Sequence, residues 1–410
     1  IGQSGGVAPV RIDSPYLVVA MLGQIPNIGA INSFQVQGLG QLIFNASGYT
    51  GDFNATALGN TAALSLLADG DGSAQAQTIV LPGQVQFDDG IIPNLTVGRA
   101  GGTLPLNQAI NKTISTGVIS NLGSGLTLTN NNGYGLLVNQ ALTLSANAVF
   151  SVSGASLHNV TQGLTFAGKV SGAGLTKTGN GTLVLGDATN DFIGNVTVQR
   201  GALSISAEGQ LGDAANQVVL TPASGVTSTL RFTDDLSFGR TIVFGNTTDT
   251  RQIEVAAGKT VTLTSAFDIT AGAAAALTKQ ATGTLVLGAA NTGWTGQFNI
   301  NAGAVQVSDA NQLTTGKLNI GGMTAALDLS GGLTLANTVD LTSTGDWANM
   351  TGIDSAGALR SVSGSNVLTG QLNLVNPRGT NDNVNRYYGV GADLGATLSL
   401  GIVRTDMVTG

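Results

Sequence analysis

Short runs of alternating apolar and polar residues recur along the chain, each closed by glycine or asparagine. Leu126-Thr127-Leu128-Thr129 runs into Asn130-Asn131-Asn132-Gly133. Leu142-Thr143-Leu144-Ser145, Thr260-Val261-Thr262-Leu263-Thr264, Leu333-Thr334-Leu335 and Thr397-Leu398-Ser399-Leu400 repeat the pattern. A period of two puts Leu or Val on one face and Thr or Ser on the other, which predicts half-buried strands. β-Branched threonine suits the outer, pleated face. No window carries a stripe of period 3.6. The alanine-rich stretch 271–277 holds Gly272 and lacks a polar face, so it is expected to be a tight turn entering a strand.

The strands belong to a larger repeat. Residues 175–212 align without a gap to residues 277–314, with 16 identities over 38 positions. Leu175-Thr176-Lys177 meets Leu277-Thr278-Lys279, and Gly181-Thr182-Leu183-Val184-Leu185-Gly186 meets Gly283-Thr284-Leu285-Val286-Leu287-Gly288. Farther on, Gly194 meets Gly296 and Gly201-Ala202 meets Gly303-Ala304. Thr369-Gly370-Gln371-Leu372-Asn373-Leu374 echoes Thr295-Gly296-Gln297-Phe298-Asn299-Ile300 at an offset of 74, and Gly40 to Phe53 carries a weaker copy. Offsets of 74 and 102 fit three and four coils of roughly 25 residues, within the range of solenoid repeats. Units of this size cannot bury their apolar faces singly and have to stack. The expected fold is therefore all-β, a parallel β-helix (β-solenoid). Residues 1–31, with Pro9, Pro15 and Pro26, are expected to form an N-terminal cap or lead-in. Residues 32–410 are expected to form a continuous β-helix belonging to a longer array.

Composition narrows the class further. Only 10% of the 410 residues are charged and 5% aromatic, and 60 are glycine. The interior is thus built of small aliphatic residues and the surface of Thr, Ser, Asn and Gln. A net charge of −7, with lysine and arginine scattered, argues against nucleic acid as a partner. The chain has no cysteine, which suits an exported protein that crosses membranes unfolded. The longest apolar run near the start, Tyr16 to Leu22, is far short of a bilayer span, so no membrane-spanning segment is expected.

The stretch Gly172-Ala173-Gly174-Leu175-Thr176-Lys177-Thr178-Gly179-Asn180-Gly181-Thr182-Leu183-Val184-Leu185 resembles the passenger-associated repeat, also called the autotransporter-associated β-strand repeat. That pattern has a glycine-rich lead, Leu-Thr-Lys, a Gly-Thr-Leu-x-Leu strand, an asparagine loop with an aromatic, then Thr-Gly and a second strand. The loops here are Asn190-Asp191-Phe192-Ile193-Gly194 and Asn291-Thr292-Gly293-Trp294-Thr295-Gly296. The resemblance implies a right-handed β-helical passenger on a bacterial surface, hence an extracellular location, and implies no activity. Gly181, Gly194, Gly283 and Gly296, with the aromatics Tyr49, Phe192 and Trp294, are expected to be packing anchors of the repeat. A carbohydrate platform is the other use such aromatics serve.

Candidate chemistry is sparse. His158 is the single histidine, in a strand-to-turn context. Gly2-Gln3-Ser4-Gly5-Gly6 matches a nucleophile-elbow spacing but lacks the flanking strand and helix. Residues 163–169 have a phosphate-loop spacing, yet Val170 stands where Ser or Thr is required, and at Gly258-Lys259-Thr260 the first glycine is replaced by Ile253. Asp69-Gly70-Asp71-Gly72-Ser73 offers two carboxylates and a hydroxyl on a turn, making Asp69, Asp71 and Ser73 a calcium candidate. Its EF-hand pattern fails at Ala74 and Val80. Asp88-Asp89 and Asp234-Asp235 match the paired carboxylates of polysaccharide-cleaving β-helices, but neighbours on a strand face opposite ways, and no Lys, Arg and His set accompanies them. Residues 376–388 form the most insertion-like stretch, with Arg378, Arg386, Tyr387 and Tyr388 as a candidate interaction loop.

The expected function is a secreted surface protein with a structural role. It self-associates end to end or laterally into a fibre or layer and requires no cofactor. An adhesin that binds a cell-surface glycan or protein is the main alternative, and a polysaccharide-active enzyme the third.

Overall fold

The computed structural model describes residues 10–14, 19–22, 34–38, 41–45, 53–58, 63–68, 73, 75–80, 83–87, 89–99, 112–131, 133–153, 163–246, 250–342, 352–353, 356–376 and 387–408. Nearly all regular structure among them is strand, and the helical segments are single 3-10 turns, as at Glu208–Leu211 and Ala310–Gln312. The chain divides into two compact units, Ile1–Ser204 with Gly209–Asn216, and Ile205–Glu208 with Gln217–Gly410.

In the first unit the chain lays strands in turn on three parallel sheets. One sheet runs through Val10–Ser14, Phe34–Gly38, Phe53–Leu58, Gly83–Phe87 and Val118–Ser120. A second runs through Val19–Leu22, Gln41–Asn45, Ala63–Leu67, Asn94–Gly98, Gly125–Asn130, Ala148–Val152, Val170–Thr178 and Ile193–Val198. The third holds Gln77–Val80, Lys112–Ser115, Gly135–Val138, Leu164–Phe166, Thr182–Leu185 and Gly201–Ile205. Stacking begins inside the segment expected as a lead-in, since Val10–Ser14 and Val19–Leu22 already pair with the next coil.

The second unit repeats the scheme. One sheet passes through Thr227–Phe232, Thr250–Val255, Leu277–Gln280, Phe298–Ile300, Leu318–Ile320, Val339–Thr342, Ser365–Asn376 and Thr397–Val408, all parallel. Another passes through Leu236–Phe238, Thr260–Leu263, Thr284–Leu287, Gly303–Val307, Ala325–Leu329, Leu359–Ser361 and Val390–Ala392. Phe298 pairs with Leu318, Leu318 with Val339 and Val339 with Leu372. The sequence echo at an offset of 74 therefore falls three strands later in the same sheet. Residues 271–274 form a turn before the strand Leu277–Gln280.

Parallel register stacks like residues in columns. Val261, Leu285, Val305, Leu327 and Leu359 form one interior column, each fully buried. Burying an aliphatic side chain of this size contributes about 1.5–3 kcal/mol. The outer face has a polar column, Thr278, Asn299, Asn319, Asp340 and Asn373. Asn319 donates to Asn299 Oδ1 at 3.2 Å, and Asn373 donates to Asp340 Oδ1 at 2.8 Å. Lys317 pairs with the same Asp340 at 2.5 Å.

Part of the second unit's core is aromatic. Phe244 and Phe267 stack at 4.9 Å, and Trp294 meets them edge-on at 5.9 and 5.6 Å. Trp294 also lies 5.4 Å from Phe298, and its indole N–H donates to Ala275 O at 2.8 Å.

Candidate functional site

The two repeat copies fold the same way around a buried lysine. Leu175 and Lys177 point inward from Val170–Thr178 while Thr176 between them is half-exposed. Leu277–Gln280 sets Leu277 and Lys279 inward in the same way, both fully buried. An ammonium in an aliphatic core needs a hydrogen-bond acceptor for each N–H. Lys177 Nζ donates to Thr178 O at 2.6 Å, Gly179 O at 2.8 Å and Arg200 O at 3.0 Å. Lys279 Nζ donates to Gln280 O at 2.9 Å, Ala281 O at 2.7 Å and Ala302 O at 3.1 Å. Two acceptors come from the lysine's own turn and the third from the turn of the following coil.

The backbone of that turn turns its carbonyls toward the lysine because one residue is left-handed. That residue is Gly179 in the first copy (φ 72°) and Ala281 in the second (φ 60°). Gly201 and Gly303 begin the next coil's strand with φ of 72° and 70°. A Cβ at Gly201 would sit 2.4 Å from Gly179 O, and one at Gly303 would sit 2.2 Å from Gly283 O. Gly181 and Gly283 lie as close to the preceding coil, where a Cβ would come within 2.2 Å of Ser153 O and Ala256 O. These glycines are required by the distance between stacked turns.

The asparagine loops stitch neighbouring coils through side-chain amides. Asn190 accepts from Val170 N at 2.7 Å and donates to Gln210 O at 2.7 Å. Asn291 accepts from Phe267 N at 2.8 Å and donates to Gln312 O at 2.7 Å. Gly194 N donates to Asn216 Oδ1 at 2.7 Å, and Gly296 N donates to Ala273 O at 3.2 Å. Phe192 and Trp294 are fully buried, so neither presents a face to a sugar ring.

The remaining candidates do not converge. Tyr49, Asp69, Asp71, Asp88, His158, Arg378, Arg386 and the segment 2–6 lie outside the described residues. Ser73 Oγ accepts from Gln75 N at 3.2 Å and from the Lys112 ammonium at 3.5 Å. Tyr387 is 63% exposed, and the Tyr388 hydroxyl donates to Val375 O at 2.8 Å. Lys169 of the phosphate-loop-like stretch pairs at the surface with Asp191 at 2.6 Å.

Lys259 lies between Asp234 and Asp235, 2.5 Å from Asp234 Oδ1 and 3.5 Å from Asp235 Oδ2. The Lys259 bond holds the Asp234 carboxyl below its usual range, with Asp235 N–H assisting. A carboxyl held ionised in this way does not suit the protonated general acid of glycoside cleavage. Among the described residues, no three or more His, Cys, Asp or Glu side chains are grouped to hold a metal ion. No described helix is long and apolar enough to cross a membrane.

Sequence reasoning missed the lysine as the centre of the repeat. The signal was present, because alternation puts Lys177 on the same face as Leu175. Burial, seconded by the positive charge of Arg200, pulls Lys177 down to about 7 from 10.5. Burial pulls Lys279 down to about 8, with Glu254 acting in the opposite direction.

Both values lie below those of the unfolded chain, so the unfolded state holds more protons between them and 10.5. The stability contribution therefore rises with pH from about 7 to 10.5 for Lys177 and from about 8 to 10.5 for Lys279. Urea unfolding across that range will show the rise, and Lys177→Met with Lys279→Met will flatten it. Ala281→Gly relieves a left-handed alanine and is expected to stabilise by about 0.5–1 kcal/mol, after the flexibility of glycine in the unfolded chain is allowed for. The same urea titration reads it.

No curated protein and no solved structure matches the chain. A family model, the passenger-associated-transport-repeat, matches residues 175–205 and 277–307. Each match begins at the leucine of Leu-Thr-Lys and takes in the lysine, its turn and the glycine that opens the next coil's strand. The chain thus carries two copies of the passenger-associated-transport-repeat within an all-β fold of long parallel sheets.

Proposed function

We propose that the chain is a bacterial surface passenger whose solenoid is itself the working part. It is secreted, stands outside the cell and assembles end to end or side by side into a fibre or layer. The observation that carries this reading is the pair of passenger repeats set in stacked parallel coils, with their distinctive polar groups engaged in holding coil to coil. A right-handed winding with coils of roughly 25 residues fits the strong preference of parallel crossover connections and the usual size of solenoid repeats.

The second reading, a passenger that binds a cell-surface glycan or protein, draws on the exposed Tyr387 at the end of the 376–388 stretch. Electron microscopy and light scattering over a concentration series separate the two. Assembly predicts ordered fibres or sheets that grow with concentration. Single, unassembled chains at every concentration, with cell binding lost on deleting residues 377–386, would establish the binding passenger instead.

A further inference from the structure

The interior columns do not by themselves fix which residues of neighbouring coils face each other. A slip of two residues keeps every inward side chain inward, because the strand period is two. Columns of Val and Leu, such as Val261, Leu285, Val305 and Leu327, accept such a slip at little loss. A buried polar group with a fixed partner does not. Lys177 pairs in register with Val198, and its third acceptor is Arg200 O, two residues beyond. Lys279 pairs with Ile300, and its third acceptor is Ala302 O, again two residues beyond. A two-residue slip moves that carbonyl by about 6.6 Å along the strand and leaves an N–H of a buried amine unpaired.

We propose that Lys177 and Lys279 are register-setting residues, each admitting the following coil in the one alignment that brings a carbonyl of its turn onto the amine. A single buried polar side chain is known to select one register in helical assemblies at a cost in stability. The same trade is visible here, since burial disfavours the charged form of both lysines. No ionisable side chain lies on the flanking strands Ala148–Val152 and Ile193–Val198, and the charge that acts on Lys177 is that of Arg200. Around Lys279, Thr250–Val255 carries Arg251 and Glu254, while Phe298–Ile300 carries no charge. Neither lysine therefore has a carboxylate partner bonded to it, and the carbonyls set its position. The inference rests on the fold alone and stands whether or not the protein assembles on a cell surface.

The absence of cysteine makes the test direct. Thr176 and Thr197 are in register on adjacent coils and half-exposed. Parallel neighbours lie about 4.8 Å apart, inside the Cα span of a disulfide, whereas a pair slipped by two residues lies about 8 Å apart and outside it. Thr176→Cys is combined with Thr197→Cys for the native register, and with Asn195→Cys or Gln199→Cys for slipped ones. With Lys177 present, the native pair is expected to close in excess of the slipped pairs by about tenfold or more, a preference of about 1.4 kcal/mol. With Lys177→Met the folded chain is expected to close slipped and native pairs to similar extents. The second copy gives an independent trial, using Lys279→Met and Thr278→Cys with Asn299→Cys, Gln297→Cys or Asn301→Cys. Retention of the native excess in both methionine variants would overturn the proposal. So would free closure of slipped pairs with the lysines intact, or loss of folding in both variants, which would make the amine a source of stability and not of register.

Discussion

Among the described residues, the interior strands take their backbone hydrogen bonds from the coil before and the coil after. From that constraint the rest follows. Strands so bonded stack like on like, and the interior becomes a set of columns whose width changes little from coil to coil. Small aliphatic residues fill such a space, and aromatics are few, one cluster of them lying around Trp294. The turns stack as tightly as the strands. Gly201 and Gly303 therefore tolerate no side chain, with neighbouring carbonyls 2.4 and 2.2 Å from where a Cβ would be.

Stacked turns create a second demand. Carbonyls at these corners face inward, onto the lysine amines. Lys177 and Lys279 meet that demand with a three-donor head on a flexible apolar stem, and Asn190 and Asn291 meet it with an amide that donates to one coil and accepts from another. Not every interior polar group is so well served. Asp328 is buried with its Oδ1 unbonded, and burial raises its pKa, while nearby Arg360 is held by Asp393 through two bonds of 2.7 Å. Burial that raises a carboxyl's pKa works against folding at neutral pH. The structure evidently carries local costs of this kind within a framework set by its columns.

The parallel stack was legible because its cause is written into the residues. Period-two alternation marks strands, and ungapped long-range identity requires stacking. The echo between Phe298 and Leu372 lands on one sheet. What could not be read was which polar residues turn inward. Lysine is almost never fully buried, so Lys177 and Lys279 passed as part of a motif and not as its centre. Asp234 and Asp235 gave the converse case. Their adjacency alone argued against a catalytic pair, and the sequence offered no sign that Lys259, a coil away, would bond them. Contacts between coils depend on loop lengths, which vary, and spacing alone does not determine them.

The central claim is that a buried lysine bonded to stacked turns organises each repeat. The measurement that tests it most directly is nitrogen-detected NMR of the lysine side chains through a pH titration. Of the six lysines, Lys177 and Lys279 should titrate near 7 and 8, with hydrogen-bond couplings to the carbonyls of Arg200 and Ala302. Lys177 and Lys279 titrating near 10.5, with freely exchanging ammonium protons, would show that these two side chains reach solvent and would contradict the account.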